Sequence, residues 1–249
     1  MKAEYQQKID ALKAELDKLR PLKPEHVAAL KDHFKIGLTY TSNALEGNSL
    51  TETETKIVIE DGLTIGGKPL KDHLEAVGHA EAYDFMLSLA GQRRLTERHI
   101  LQLHRLFYRR IDEKEAGRYR TVPAFITGSR HLPPAAAHVP ARMRTFCKAI
   151  PTKRKQLHPV DFAAWLHFRL VNIHPFIDGN GRTARLVMNV ALLQNSYPVV
   201  IIPPILRREY IDTLESCHGT KGDPESFFNF IARATIESLQ DYLRLLRSE

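Results

Sequence analysis

Residues 174–185 read His-Pro-Phe-Ile-Asp-Gly-Asn-Gly-Arg-Thr-Ala-Arg, and nearly every residue type in that stretch suits a chemical task. Pro175 disfavours the α region for the residue before it, so a helix ends at His174 and leaves the imidazole at a helix-to-loop junction. A side chain that titrates near neutrality is suited there to act as a general base. Phe176 is expected to anchor the loop in the core. Gly179, Asn180 and Gly181 open the next helix, where glycines let backbone N–H groups converge and the helix end adds partial positive charge. Arg182 and Arg185 follow at i, i+3, on one face of the first turns. Cations at that end oppose the helix macrodipole by about 0.3–1 kcal/mol each, so the placement makes sense if a strong anion lies between them and the backbone donors. A polyphosphate fits, because arginine forks bind phosphate oxygens in pairs. Asp178, beside this cradle, is a hard oxygen ligand suited to Mg²⁺ bridging phosphates. A lone G-x-G is often only a turn and a lone His before Pro is usually structural; their joint occurrence carries the reading.

These residues fit every position of H-P-F-x-x-G-N-G-R-x-x-R, and over roughly residues 35–240 the chain resembles the Fic family. It is similar in particular to the catalytic domain of the animal endoplasmic-reticulum Fic enzymes and to their bacterial relatives, through Glu115-Ala116-Gly117-Arg118, His158-Pro159-Val160 and the motif itself. The resemblance implies an all-α Fic fold, a helical bundle with a small β-hairpin flap. It implies a protein adenylyltransferase, moving AMP from ATP to a Ser, Thr or Tyr hydroxyl of a target protein. His174 would deprotonate that hydroxyl, and Asp178 would hold Mg²⁺ on the α- and β-phosphates. Gly179, Asn180 and Gly181 would cradle the phosphates, Arg182 serving the β-phosphate and Arg185 the γ-phosphate. Thr127 and Gly128, in the flap, would lie at the nucleotide, with Ile126–Gly128 aligning an extended target segment by strand-like pairing. Tyr210 would line the adenine pocket. His218 stands where the family often has Asn for the nucleoside.

The resemblance also implies a brake. Ser42-x-x-x-Glu46-Gly47 fits the family's inhibitory motif [S/T]-x-x-x-E-[G/N]. Glu46 falls in the last turn of its helix, where an acid opposes the dipole and an arginine would offset the cost. The family names Arg185 as that partner, so nucleotide would bind without reaching a productive pose. Hydrolytic removal of AMP by the same site, with Glu46 positioning a water, is the close alternative. Family members that transfer phosphate instead carry lysine at the second loop glycine, and Gly181 argues against that. A nucleotide-binding Fic-like scaffold is disfavoured by the intact His174 and Arg182. A DNA-binding regulator with a winged helix is expected to need more chain than ends at Glu249.

The elements that must position these groups read as helices. Tyr5, Ile9, Leu12, Leu16 and Leu19 alternate steps of four and three, the spacing of a packing helix ended by Pro21 and Pro24; it serves equally as a homodimer contact or as a helix laid on the main domain. A second helix covers His26–Glu46, stopped by Gly47. Thr51-x-x-Glu54 is a capping box that opens a third, ending by Gly62. Further helices are expected near 71–90, 96–110, 136–150, 158–173, 179–195, 205–217 and 224–247. Residues 119–131 look extended and read as the hairpin flap. The division is 1–22 as N-terminal helix, 23–70 as inhibitory-helix region and 71–249 as Fic catalytic core.

Composition bounds the remainder. The chain has 249 residues, 43% apolar and 26% charged, as in ordinary globular proteins. No apolar run approaches the ~18–20 residues that cross a bilayer, so no membrane is expected. The charged start has no secretory character, and the reading is cytoplasmic. Cys147 and Cys217 are too few for a disulfide framework and read as buried thiols. A net charge of +7 is spread over short groups, Arg118 and Arg120 among them, which read as solvated faces rather than a nucleic-acid site. The twelve histidines lack the close zinc spacing with a third ligand and read as surface or core residues.

Overall fold

The computed structural model describes residues 1–92, 94–126, 128–218 and 222–247, and among these the regular structure is entirely helical. Ten α-helices follow in order: α1 (Ala3–Lys18), α2 (Pro24–Ala44), α3 (Glu52–Lys56), α4 (Leu70–Ser88), α5 (Glu97–Tyr108), α6 (Val139–Gln156), α7 (Pro159–Ile173), α8 (Asn180–Leu193), α9 (Arg207–Ser216) and α10 (Pro224–Arg247). None of the described helices is long and apolar enough to cross a membrane.

Helix α8 is the axis of the bundle. It packs against α7 most extensively and also meets α2, α4 and α5. Its residues Ala184, Leu186, Val187, Met188, Val190, Ala191 and Leu192 are all solvent-free. A helix buried on every side is expected to be apolar all round, yet α8 carries Arg182 and Arg185, each only 2% exposed. Burying two guanidinium groups is unfavourable unless each is paired, so the surrounding helices must supply partners. Close packing helps: a Cβ at Gly78 on α4 would run into the Phe107 carbonyl of α5, so only glycine lets these two neighbours of α8 approach as they do.

Local rules account for the helix ends. Thr51 and Glu54 form the capping box with both of its hydrogen bonds; the short α3 then loosens into a π-helical turn, Ile57–Asp61, that ends on left-handed Gly62. Helix α2 stops at Ala44 and Gly47 takes φ 95°, as its C-terminal glycine was expected to. Helix α6 departs from expectation: it does not stop at 150 but runs through Pro151 to Gln156. Pro151 lies on an exposed face, where water can take up the carbonyl its missing N–H leaves unpaired.

Helix α1 lies along α10, with Ile9 and Leu16 buried. Just before it, the Met1 amino group donates to Asp161 Oδ1 at 3.0 Å, and the Lys2 amide donates to the Asn229 side chain at 2.7 Å. The expected hairpin over 119–131 is not present as strands among the described residues, which carry only turns, bends and irregular backbone. Val122 and Phe125 point to solvent, 46% and 82% exposed, so their β-propensity meets no sheet to pack on. Thr127, expected at the nucleotide, lies outside the described residues.

Candidate functional site

Residues 174–179 form the loop between α7 and α8, and residues 180–185 are the first turns of α8. His174 is the C-terminal cap of α7, with φ 50° and ψ 59°. A left-handed non-glycine residue costs about 1–3 kcal/mol and persists only where its surroundings hold it. Here its amide donates to Leu170 O at 2.9 Å, and its carbonyl accepts from Arg120 Nε at 2.8 Å. Asn180 closes the loop on itself: its side chain accepts from the Phe176 amide and donates to the Phe176 carbonyl, both at 2.9 Å. The amide expected to cradle phosphate is thus engaged in holding the loop. Phe176 stacks on His104 with centroids 3.8 Å apart and ring planes within 2°. His104 Nδ1 accepts from the Gly117 amide at 2.9 Å, which leaves its Nε2–H to donate to the Asp178 carbonyl at 3.1 Å. Burial holds this imidazole neutral, its pKa lowered to about 4.

Gly179 opens α8 in the left-handed conformation, φ 74°, and a Cβ there would strike the Phe107 ring. Glycine is therefore required at this turn on two counts. At Gly181 a Cβ would collide with the Glu46 carboxylate. The acidic group of the turn after α2 thus stands directly over the first turn of α8, at a helix end whose free amides favour an anion.

The two arginines are each held by acids and carbonyls from other helices. Arg185 donates from Nε to Ser42 Oγ at 2.9 Å, from one terminal nitrogen to Ser42 O and to Glu46 Oε1, both at 2.8 Å, and from the other to Tyr210 Oη at 3.3 Å. Arg182 pairs with Glu75 Oε1 at 2.7 Å, approaches Asp178 Oδ1 at 3.5 Å and stacks over the Phe107 ring at 4.2 Å. Burial raises the Glu46 pKa, but Arg185 and then Arg182 outweigh it and hold the carboxyl below its ordinary value. Burial likewise disfavours charge on Arg185, and Glu46 reverses the effect, raising its pKa. His79 and His167 border this cluster. Burial and then Arg185 keep both neutral, each near pKa 3, with Arg182 adding to the effect on His79. The Tyr210 hydroxyl, shared between Arg185 and His167 Nε2 at 2.9 Å, joins them in one network.

His174 itself is half-buried. Loss of hydration lowers its pKa to about 4; Arg120 and His131 push the same way, while the Val171 backbone and Glu46 oppose them. The imidazole is consequently neutral at physiological pH, the form that accepts a proton. Asp178 presents a side chain 45% exposed beside it in the loop.

Residues 94–192 match the Fic/DOC family. A Fic domain containing signaling protein from Bacteroides thetaiotaomicron has the same fold, with a TM-score of 0.89, at 31% identity and over 97% of either chain. The chain belongs to the Fic/DOC family. Fic-1 from C. elegans is similar too, at TM-score 0.86 and 29% identity, over 97% of this chain and 71% of that one. Curated relatives called protein adenylyltransferase Fic include one from Nematostella vectensis, 38% identical over 207 residues, and one from Drosophila erecta, 34% identical over 242. The chain spans about half the length of those relatives, 48% in both cases.

The Fic loop therefore brings together Ser42, Glu46, Arg185, Gly181 and Tyr210 in one cluster, with Arg182 and Asp178 adjoining. Gly47 lies just beyond, as the left-handed residue that turns the chain out of the cluster. His218 belongs to another group: it stacks on His131 at 4.1 Å and contacts Asn172, beside the loop where Ser129 and the Arg130 amide bond Glu215. Gly128 takes φ 79° in that loop. Tyr210 is buried, with its hydroxyl in the arginine network rather than on an open pocket wall.

Three residues of the Fic site escaped sequence reasoning. Arg120 reads as part of a solvated basic face, and the structure corrects this: it is 2% exposed. Glu75 is one acid among many on its helix. His104 is one histidine among twelve. The only available signal was local, since Arg120 follows the Glu115–Arg118 stretch that the family resemblance rests on.

Proposed function

We propose that the chain transfers AMP from ATP to a hydroxyl side chain of a protein and that Glu46 holds this activity down. The observation that carries the reading is the Glu46 carboxylate seated on Arg185 over the Gly181 turn, where a terminal phosphate would otherwise be bound. A cradle built for an anion and filled by the chain's own acid is economically explained as a nucleotide site in its restrained state.

In the reaction, the target hydroxyl oxygen forms a bond to the α-phosphorus while the bond from that phosphorus to the bridging oxygen breaks and pyrophosphate leaves. Neutral His174 takes the hydroxyl proton. The first-turn amides of α8 and Arg182 stabilise charge on the phosphates in transit. Arg185, once released, binds the γ-phosphate and orients the α-phosphate for in-line attack. Asp178 fits a magnesium site of the kind that uses one carboxylate together with substrate phosphates; among the described residues no group of three acidic, histidine or cysteine side chains forms a dedicated cage. A magnesium ion held there would neutralise charge on the phosphate oxygens. The irregular 119–131 loop presents the target.

The test uses ATP labelled at the α- or the γ-phosphate with wild type, Glu46→Gly and His174→Ala. Label retained from the α position, increased by Glu46→Gly and abolished by His174→Ala, is expected. Label only from the γ position would mean phosphorylation and overturn the reading, as would no label in any variant. A second reading, removal of AMP by water, is favoured by one observation: Glu46 acts electrostatically on His174, opposing in part the burial that lowers its pKa. Release of AMP from a modified target by wild type and its loss in Glu46→Gly would select it.

A further inference from the structure

Arg120 stands outside the family motif, yet its bonds converge on the catalytic loop. It is buried, burial lowers its pKa, and no acid pairs with it among the described residues. Its guanidinium is satisfied instead by three carbonyls: Nε donates to His174 O at 2.8 Å, and the two terminal nitrogens donate to Val122 O at 2.9 Å and Pro134 O at 2.6 Å. Its own amide donates to Pro175 O at 2.9 Å. A buried cation without an acid partner is unfavourable unless hydrogen bonds replace its water. The three carbonyls come from separate places: the left-handed residue that ends α7, and the two ends of the 122–134 loop. A planar fork spans all three in one geometry, which a lysine ammonium does not.

We infer that Arg120 is a positioning residue that fixes the 122–134 loop against the His174 peptide, so that a hydroxyl presented by the loop meets the imidazole in register. The inference rests on the AMP-transfer reading. Arg120 also faces the His174 ring electrostatically, together with His131 of the loop, Glu46 after α2 and the Val171 backbone of α7. Removing its charge removes one influence that keeps the base unprotonated, and the acid limb of activity then moves to higher pH.

The experiment compares Arg120→Gln and Arg120→Lys in a Glu46→Gly parent. Binding of a non-hydrolysable ATP analogue serves as the check on folding. Misplacement of a catalytic group by about 1 Å costs on the order of 100-fold, so kcat is expected to fall by about that factor in both variants while analogue binding is kept. The acid limb shifts upward in Arg120→Gln and stays in place in Arg120→Lys, which keeps the charge but loses the fork. Unchanged kcat, or a fall that only tracks lost analogue binding, overturns the inference. Amide hydrogen exchange over 122–134 gives a readout independent of activity: faster exchange in Arg120→Lys is expected, and unchanged protection overturns the proposal. A parent that transfers no AMP would sink the activity reading alone, with the exchange result still deciding the role of Arg120.

Discussion

Arg185 and Glu46 meet at 2.8 Å, although the arginine side chain is 2% exposed and the glutamate 37%. The pair is lopsided: one partner is committed to the core, and the other reaches in from the rim. Arg185 keeps Ser42 and Tyr210 if Glu46 leaves, whereas Glu46 has solvent to return to. The asymmetry suits the release of Arg185 proposed above.

Glu46→Gly should lower stability while raising AMP transfer. Screening at a carboxylate this exposed limits the loss to about 1 kcal/mol, which lowers the melting temperature by about 2–4 °C for a chain of this size. Saturating ATP should restore the midpoint by supplying the missing anion. Because the folded-state pKa of Glu46 is depressed, its contribution is complete above the unfolded value of 4.5 and is lost as pH falls through the folded one. The mutational difference should therefore be the same at pH 8 and pH 6, as measured by thermal unfolding.

Ser42→Ala leaves Arg185 Nε buried without its acceptor. The expected loss is about 1–3 kcal/mol, read from the urea midpoint. The remaining bond to Glu46 must then orient the guanidinium with less help, and basal AMP transfer should rise to a level between wild type and Glu46→Gly. Basal labelling equal to wild type would show that Ser42 serves packing alone.

Four histidines are held neutral by burial, His79 and His167 near 3, His104 and His174 near 4. Unfolded, each binds a proton near 6.5. The unfolded state thus takes up protons that the native state refuses, and stability falls as pH drops below 6.5, by about 1.4 kcal/mol per pH unit for each histidine once well below that value. Urea unfolding at pH 7.5, 6.5 and 5.5 should show a smaller fall in the first interval than in the second. His79→Asn should flatten the profile by one histidine's share. A level profile down to pH 5.5 would mean that these imidazoles are not excluded from protonation.

Arg207 donates to the carbonyl of Leu45, the residue before Glu46, at 2.7 Å. Arg207→Ala should loosen that turn without touching the phosphate cradle. Basal transfer of α-label should increase, by less than in Glu46→Gly. A surface change of this kind alters stability by no more than about 0.5 kcal/mol, so a large drop in melting temperature would assign Arg207 a different role.

The Fic loop was readable because its features are contiguous: helix end, glycine turn, helix start and arginines follow one another along the chain. The capping box at Thr51 and the stop at Gly47 were readable for the same reason. Glu75 was not, since its role exists only after α4 packs beside α8. Arg120 was not, since its fork closes on His174, 54 residues away. The 119–131 stretch misled in the opposite direction: Thr121, Val122, Phe125 and Ile126 favour strands, but propensity yields a strand only where a partner edge and a face to cover are supplied.

The turn bearing Glu46 is moored at three points: Leu45 O on Arg207, the Ser49 amide and hydroxyl on Asp72, and Asn48 on Glu75. A carboxylate held this way behaves as a ligand at a fixed local concentration, which diluting the protein cannot reduce. Glu75 belongs to both systems, since one of its oxygens moors the turn while the other pairs with Arg182. Whatever draws Arg182 toward a nucleotide would therefore also pull on the mooring of the acid proposed to compete with it.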